Sequence, residues 1–476
     1  MSVDERSTLL PTKPRRQQWL STVHTARLVT FASSFAEGYE LVIFSLILSP
    51  VIKEFSLTVT GVVLLASVPM AAGLVGYLFM GWLMDVMGRK PTLVSTYVIC
   101  MCGCALMATA PDVYQLGLGR GIIALGIRSG ITCVSVYMSE LSPAEHRGML
   151  VSMEEVYINL GMLAATLMAW VLMGRQNASW RTFVTLGGIA PALALLALLC
   201  LQVPESPRYL QLWGRHAEAA AVLRSALDGK DDEIEQTLSS WREEEETMTK
   251  TTWADQLSQV LELPGHAGFR IACCCWISRA GSGIVVIGTY FAVFMKEQGM
   301  DDESALRWFT AGQLAKTVAL ALPVLWLIDA CGRRALFLAS AAACCASTAL
   351  AAALRHGGFP AAAVAWCVVA YWASFSLGYG PVVWVYCFEI LPRHQRGRAA
   401  TVSMLFGDVA SGVLLISAPY LVEIDAALPY AVIAVTNFAA MVFFYAACPE
   451  TAGMILEHAG NVGASPRTAV ARDGAC

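Results

Sequence analysis

The sequence predicts an all-α membrane protein in which 12 transmembrane helices form two six-helix bundles related by a pseudo-two-fold axis. Its composition is one reason: the 476 residues are 57% hydrophobic and only 14% charged, whereas soluble domains are roughly a quarter charged. The second reason is that apolar stretches of about 20 residues recur along the chain, and each is long enough to cross ~30 Å of hydrocarbon as a helix. A motif repeat at half the chain length is the third.

Three short motifs occur twice, in the same order and at nearly the same separation. The pattern acid-x-x-Gly followed by two bases returns after 244 positions, Glu-x-x-Pro-x-x-x-Arg-Gly after 249, and Pro-Glu-Ser returns as Pro-Glu-Thr after 245. The first copies begin at Asp85, Glu140 and Pro204, and the second copies at Asp329, Glu389 and Pro449. Matching offsets of this kind predict a duplicated six-helix unit.

The apolar runs define twelve predicted spans. We place them at 26–50, 57–80, 92–110, 114–138, 150–173, 181–202, 268–294, 306–328, 335–354, 361–387, 400–421 and 428–447. Basic residues concentrate in the loops after spans two, four, eight and ten, and the opposite loops are acidic or mixed. The positive-inside rule therefore predicts that the basic loops and both termini are cytosolic.

The spans divide the chain into five predicted segments. These are a cytosolic tail at 1–25, an N-terminal bundle at 26–202, a cytosolic linker with short helices at 203–267, a C-terminal bundle at 268–448 and a cytosolic tail at 449–476. The linker is the one long polar insert, and its pattern over 216–227 predicts an amphipathic helix. We interpret it as a solvated connection; a latch against the cytosolic mouth is the alternative.

Several function classes find no support in the sequence. The net charge is −4, so no basic field indicates nucleic acid. We see no P-loop and no hydrolase or kinase constellation, and the cysteines and histidines lack metal-ligand spacing. The 15 cysteines lie mostly within apolar runs, where they act as small hydrophobic residues. We therefore expect no enzyme activity, no cofactor and no metal.

The ordered set of motifs resembles the sugar-porter branch of the major facilitator superfamily, which includes glucose and trehalose facilitators. The resemblance extends from about residue 26 to 457 and includes, besides the repeats, Gly38-Tyr39-Glu40, Arg120, Trp180-Arg181 and Gly378 to Trp384. It implies alternating access to a central cavity by rocking of the two bundles. The implied function is transport of a small polar solute, foremost a hexose or trehalose, by facilitated diffusion or proton symport. The alternatives are a transporter of an organic ion or zwitterion and a non-transporting solute receptor.

A cytosolic gate is the first site that this resemblance predicts. Ion pairs between acids and bases at the helix ends would hold the bundles together when the protein faces outward and separate when it opens inward. Ordinary anchoring of helix ends by basic residues is the alternative. The predicted gate residues are Asp85, Arg89, Arg120, Glu140 and Arg147 in the first half, with Asp329, Arg333, Glu389 and Arg396 in the second.

A substrate cavity is the second predicted site, because charged side chains in mid-membrane are costly and so mark function. Against the sugar-porter pattern, neutral residues are replaced by charged ones at Arg128, Glu155 and Asp408. Carboxylates and guanidinium groups suit ions or zwitterions without excluding a sugar, and the bases could instead only pair with acids to hold helices together. The predicted cavity residues are Glu40, Arg128, Glu155, Arg279, Tyr290, Thr317, Trp384 and Asp408.

Glu40 is also the predicted proton-coupling residue. The resemblance supports this role because proton-coupled sugar porters carry an aspartate at this position and passive members a neutral amide. We hypothesise that Glu40 lies near Arg128 or Arg279, and that substrate disturbing this pair couples proton and solute movement.

Two short signals concern trafficking and modification. Glu5, Leu9 and Leu10 resemble an acidic dileucine sorting signal read by clathrin adaptors, which would add endosomes or lysosomes to the predicted plasma-membrane location. Asn177 begins a glycosylation sequon in a short external loop, and we expect it to be unused because the acceptor would lie close to the bilayer.

Overall fold

The computed structural model describes residues 15–141, 147–173, 179–201, 203–226, 234–235, 237–239, 241, 262–322, 327–391 and 396–451. Within these ranges, side chains are described except at 15–27, 77–82, 139, 147–152, 173, 226, 321–322, 329, 388 and 396–398. The predicted sorting signal and sequon lie outside the described residues. The side chains of three predicted gate residues lie outside them as well: Arg147, Asp329 and Arg396.

Helices occupy all the predicted spans. Spans one to five are single helices: Arg15–Phe55, Val59–Met87, Arg89–Ala108, Val113–Leu141 and Arg147–Met173. Spans nine, eleven and twelve are single as well: Arg333–His356, Arg396–Ile424 and Leu428–Ala447. The first helix begins before the predicted position 26, because neither glycine nor proline interrupts residues 15–27.

Three of the other four spans are each built from two helices, and span eight is described as two helical segments on either side of residues 323–326. Span six is Trp180–Gly187 with Ile189–Cys200, and span seven is Ala267–Gly281 with Ile284–Lys296. Span eight is Asp302–Leu322 with Ile328–Cys331, and span ten is Ala361–Leu377 with Tyr379–Ile390. Among the described residues, eleven segments are long and apolar enough to cross a membrane. Span eight is the remaining one, and its first helix carries four charged residues, Asp302, Glu303, Arg307 and Lys316.

The two sets of six spans meet along symmetric pairs of helices. Span one contacts span seven, span two contacts span eleven, and span five contacts span eight. A pseudo-two-fold axis that exchanges the halves maps span one onto seven, and the two–eleven pair onto the eight–five pair. The packing therefore follows the duplication that the motif repeat predicts.

Span seven is interrupted at a glycine in mid-membrane. Gly283 has a φ of 83°, and a Cβ there would lie 2.5 Å from the Cδ1 atom of Ile433. The interruption frees the carbonyl of Ser282, which accepts a hydrogen bond from Tyr371 Oη at 2.8 Å and another from Asn437 Nδ2 at 3.3 Å. Neighbouring spans thus satisfy the backbone that the broken helix leaves open, as a bilayer requires.

The linker begins with two short helices, Pro207–Leu212 and His216–Ala226. The second confirms the helix predicted from the amphipathic pattern. The segment before them is fixed to the first bundle, since Tyr137 Oη donates to the carbonyl oxygen of Pro204 at 2.6 Å. Most of the rest of the predicted linker lies outside the described residues.

Candidate central cavity and turn-face networks

We call the side of the molecule that holds Gly88 and Gly332 the turn face, and the opposite side the far face. At the first turn, Gly88 has a φ of 92°, and a Cβ there would lie 2.7 Å from Glu205 Oε2. Glu205 accepts the backbone N–H groups of Arg89 at 2.9 Å and Lys90 at 3.1 Å. A carboxylate therefore caps the positive end of span three.

The side chain of Arg89 continues this first network. Its Nε and Nη2 atoms donate to Glu140 at 3.0 and 2.8 Å, and Ser206 Oγ also contacts Glu140. Tyr209 lies beside the network, with its hydroxyl donating to the carbonyl of Val86 at 3.1 Å. Loss of solvent raises the pKa of the Tyr209 hydroxyl, so it remains a donor at neutral pH.

The second copy of the motif repeats these contacts. Gly332 has a φ of 79°, and a Cβ there would lie 2.6 Å from Glu450 Oε2. Glu450 accepts the backbone N–H groups of Arg333 at 2.9 Å and Arg334 at 3.0 Å. Arg333 Nη2 donates to Glu389 at 3.1 Å. In a further parallel, Thr451 donates to Glu389 as Ser206 does to Glu140.

Among the side chains that the structure describes, each network joins helices of a single bundle. We predicted ion pairs that link the two bundles at this face, but Arg89 pairs with Glu140 within the first half and Arg333 with Glu389 within the second. The reason is geometric, because the start of span three and the ends of spans four and six converge in one corner of the first bundle. Asp85 is peripheral, with 78% of its side chain exposed and 3.9 Å from Arg89 Nη1.

Arg120 does not belong to the turn face, so its predicted place in the gate is wrong. The chain runs from Gly88 along span three to the far face, and span four begins there at Val113. Arg120 lies two turns into span four and is therefore near the far face. Its Nε donates to the carbonyl of Leu65 at 2.9 Å, and its guanidinium lies 3.3 Å above the ring of Phe44.

Contacts near the far face join the two bundles. Ser45 Oγ in span one donates to the carbonyl of Gly288 in span seven at 2.6 Å. Lys296, at the end of span seven, contacts Ser49 and Asp302, and Lys53 Nζ lies 3.7 Å from Asp302 Oδ2. The far-face ends of spans one, seven and eight are thereby joined.

A cavity of about 190 Å³ lies between the bundles at mid-depth. It has room for roughly 13 to 19 water-sized groups, since one water needs about 10–15 Å³ by this measure. Its charged lining residues are Glu37, Arg128, Glu154, Glu155, Arg279, Lys316 and Asp408. The four of these predicted as cavity residues, Arg128, Glu155, Arg279 and Asp408, therefore come together here, and Trp384 lines the same cavity.

The charges are divided between the walls of this central cavity. We call Glu37, Glu154 and Glu155, which come from spans one and five of the first bundle, the acid wall. Arg279 and Lys316 come from spans seven and eight of the second bundle, opposite the acids. A field that runs from one bundle to the other therefore crosses the cavity.

One ion pair spans the bundles within the cavity. Arg128 Nη2 in span four lies 3.7 Å from Asp408 Oδ1 in span eleven, and their side chains are 21% and 18% exposed. Gly73 provides the space for this arginine, because a Cβ there would lie 3.0 Å from Arg128 Cγ. Two of the three charges that replace neutral residues of the sugar-porter pattern, Arg128 and Asp408, thus compensate each other.

Two tryptophans and several unpaired polar atoms complete the cavity. The rings of Trp276 and Trp384 meet edge to face, with centroids 4.8 Å apart. Polar atoms of five lining residues find no hydrogen-bond partner within the described part of the protein. They are the donors Trp276 Nε1, Trp384 Nε1 and Arg279 Nε and the acceptors Gln313 Oε1 and Glu154 Oε1. Buried polar atoms of this kind normally bind a ligand or water.

Three residues predicted for the cavity lie elsewhere. Thr317 Oγ1 donates to the carbonyl of Gln313 within its own helix at 2.8 Å, because one residue beyond Lys316 the helix has turned by about 100°. The buried Tyr290 donates to the carbonyl of Leu415 at 3.4 Å. Glu40 faces span three, where Cys104 Sγ donates to its Oε1 at 3.1 Å, instead of facing Arg128 or Arg279.

Two lining residues escaped the sequence prediction although a signal for them existed. Trp276 lies three positions before Arg279, and Gln313 lies three positions before Lys316. Residues at this spacing share one face of a helix. Arg279, which the sequence assigned to the cavity, therefore also indicated Trp276, whereas Gln313 follows from Lys316, which was not among the predicted cavity residues.

Comparisons with known proteins agree with this architecture. Residues 25–462 match the family described as "Sugar (and other) transporter". Probable polyol transporter 4 of Arabidopsis thaliana is 31% identical over 401 residues, which are 81% of this chain and 74% of that one. Glucose transporter GlcP of Staphylococcus epidermidis is 26% identical over 88% of this chain and 92% of its own.

Solved structures show the same fold. The proton:xylose symporter XylE bound to 6-bromo-6-deoxy-D-glucose aligns with a TM-score of 0.78 at 20% identity, over 93% of this chain and 99% of that one. The partially occluded inward-open form of XylE from E. coli aligns with a TM-score of 0.76 over 91% and 100%. The predicted fold of 12 helices in two bundles is thereby confirmed.

Proposed function

The chain belongs to the sugar transporter family of the major facilitator superfamily, a family of multi-pass membrane transporters and not of enzymes, and we propose that it carries a hexose or a hexitol by alternating access. The turn face is cytosolic in this proposal, and the plasma membrane is the site of action. The dileucine sequence would add endosomal cycling through a clathrin adaptor. The central cavity is the binding site.

The unpaired polar atoms of the central cavity are the observation that carries this proposal. A hydroxyl group both donates and accepts hydrogen bonds, so a polyhydroxylated solute can satisfy donors such as Trp384 Nε1 and acceptors such as Gln313 Oε1 together. The rings of Trp276 and Trp384 offer apolar faces to the C–H groups of the same solute. A cavity lined by donors alone, or by acceptors alone, would suit a hydroxylated solute less well.

The size of the cavity narrows the class of sugar. Room for roughly 13 to 19 water-sized groups suits one hexose or hexitol better than trehalose, which is nearly twice as large as a hexose. The names of the relatives agree, since they describe transporters of polyols, glucose and xylose.

We further propose proton symport, with Glu40 as the residue that takes and releases the proton. Glu40 is 5% exposed in the middle of span one, and its Oε2 atom has no hydrogen-bond partner among the described residues. A structural relative, XylE, is described as a proton:xylose symporter. A buried carboxyl in this setting exists in two charge states that differ in their interactions, as a coupling residue needs.

A second candidate function has one observation in its favour. The acid wall faces Arg279 and Lys316 across the cavity. A zwitterion could place its cationic group at the acids and its anionic group at the bases. A transporter of an organic zwitterion is therefore the alternative.

Uptake into proteoliposomes tests the choice. Radiolabelled glucose, xylose, sorbitol, trehalose, glycine betaine and lysine are offered at external pH 5.5 and 7.5. We expect saturable uptake of the hexose or hexitol, faster at the lower pH. Selective flux of betaine or lysine would favour the second candidate, and binding without flux would contradict both transport proposals.

A matched pair of tryptophan variants ties the activity to the cavity. Trp384→Ala removes a stacking face, and we expect it to raise KM for the solute by about tenfold. Trp366 is 63% exposed and lies outside the cavity, so Trp366→Ala is the control. Equal effects of the two variants would argue against the proposed binding site.

A further inference from the structure

A second, smaller cavity of about 20 Å³ lies inside the first bundle, behind the acid wall. Glu37 and Glu154 line both cavities and so form the partition between them. Glu40 lines only the small one. A proton that moves from the central cavity to the small one therefore passes Glu37 or Glu154.

Buried oxygens around the small cavity are unsatisfied. Glu40 Oε2, Glu154 Oε1 and Ser34 Oγ have no hydrogen-bond partner among the described residues, although these residues are only 5%, 7% and 1% exposed. Such atoms are costly to bury unless something bonds to them. A volume of about 20 Å³ holds one water, which needs about 10–15 Å³ and two to four polar partners.

We propose that the small cavity binds one water molecule that relays protons between the central cavity and Glu40, an inference that rests on the proton symport proposed above. The protonated carboxyl of Glu37 or Glu154 breaks its O–H bond and gives the proton to the water oxygen. The water breaks another O–H bond and protonates Glu40 Oε2. One proton moves at each step, the bonding electrons stay on the oxygens, and the water is regenerated.

The surroundings of the three carboxyls place Glu37 and Glu154 between the solute site and Glu40. Glu37 and Glu154 face the charged groups of the central cavity, whereas Glu40 faces groups inside the first bundle. Around Glu37 and Glu154 these groups are Arg128, Ser135, Glu155 and Arg279. Around Glu40 and the small cavity they are Tyr39, Tyr97, Cys100, Cys104 and Arg120.

Gly130 allows a test that leaves the carboxyls intact. It lines the small cavity but not the central one. A Cβ at Gly130 would meet only Thr96 Oγ1, at an ordinary 3.8 Å, so Gly130→Ala adds a methyl group in the space of the water without a clash. Gly117→Ala is the control, because Gly117 is on the same span, lines neither of these cavities and places its Cβ 3.4 Å from Leu65 Cδ2.

The measurement is the number of protons taken up per solute, from a pH dye trapped in proteoliposomes and parallel radiolabel uptake. We expect Gly130→Ala to lower this ratio to near zero, because loss of a proton-transfer group slows the transfer by about 10²–10⁴-fold, and Gly117→Ala to keep it. Solute exchange, which needs no net proton movement, should stay within about twofold in both variants, as for other unstrained substitutions. A wild-type ratio in Gly130→Ala would overturn the relay.

Neighbouring glutamates on span five supply a second test. Glu154→Gln should lower the proton-to-solute ratio, whereas Glu155→Gln should change KM without changing the ratio, because Glu155 lines only the central cavity. Equal losses of coupling in the two variants would overturn the relay. A wild-type protein that carries solute without protons would overturn the relay and the proton symport but leave the proposed solute transport standing, and one that carries none of the solutes would overturn the proposed transport as well.

Discussion

The two turn-face networks use the same parts but differ in how firmly they are built. In the first bundle Arg89 contacts Glu140 through two N–H groups, and both side chains are 7% exposed. In the second, Arg333 reaches Glu389 through Nη2, and the side chains are 13% and 19% exposed. A buried ion pair with two hydrogen bonds holds its two side chains in place better than a more exposed pair with one hydrogen bond. We therefore expect the first bundle to be the stiffer body at this face.

The largest effect should follow removal of the buried charge in the first network. Glu140→Gln leaves Arg89 buried beside a neutral partner, and breaking such a pair costs about 3–5 kcal/mol of unfolding free energy. Thermal unfolding in detergent measures it. Glu303→Gln is the control, because the exposed Glu303–Arg307 pair is worth about 0–1 kcal/mol.

A smaller loss is expected for the equivalent change in the second network. Glu389→Gln weakens a single hydrogen bond from a charged group, which is worth about 1.5–3 kcal/mol. The same unfolding assay applies. If Glu389→Gln destabilised the protein more than Glu140→Gln, the proposed order of stiffness would be reversed.

Removal of either capping carboxylate should lower the free energy of unfolding by the same amount. Glu205 and Glu450 bond the backbone of their glycine turns at nearly the same distances, 2.9 and 3.1 Å against 2.9 and 3.0 Å. Glu205→Ala and Glu450→Ala should each cost about 1 kcal/mol, the scale of a lost helix cap. If the two variants lost clearly different amounts of stability, the difference in stiffness between the bundles would come from the caps and not from the arginine pairs.

The smallest effect concerns the pair that joins the bundles. Arg128 and Asp408 are 3.7 Å apart and partly exposed, so a double-mutant cycle of Arg128→Gln and Asp408→Asn should give a coupling of about 1 kcal/mol or less. The coupling energy is obtained from the unfolding free energies of the wild type, the two single variants and the double variant. A coupling as large as that of Arg89 with Glu140 would show that the bundles are locked together at the cavity.

Repetition made the architecture and the turn-face partners predictable. Arg89 and Glu140 were both named from the motif repeat, and the structure brings them together. The end of the span at which a residue lies was harder to predict from the sequence, as Arg120 shows. A basic residue near a helix end indicates the cytosolic side only if the end itself is known, and Arg120 follows the far-face start of span four at Val113.

Rotation about the helix axis limited the cavity prediction. Thr317 and Glu40 were taken from aligned positions, yet Lys316 and Glu37 line the cavity in their place. A helix turns by about 100° per residue, so the breaks and packing that set its rotation decide which neighbour faces inward. Gly283 is such a break, and its effect on span seven depends on contacts from spans ten and twelve that no local pattern records.

The spacing of the network partners has a consequence for biosynthesis. Arg89 leaves the ribosome 51 residues before Glu140 and 116 residues before Glu205, and Arg333 precedes Glu389 by 56 and Glu450 by 117. The first half therefore completes its own network before the second half is made. Nascent span three must tolerate an unpaired Arg89 until span four has been made and an uncapped turn until span six has been inserted. The same delay occurs in the second half, where the turn at Gly332 stays uncapped until Glu450 follows the last span.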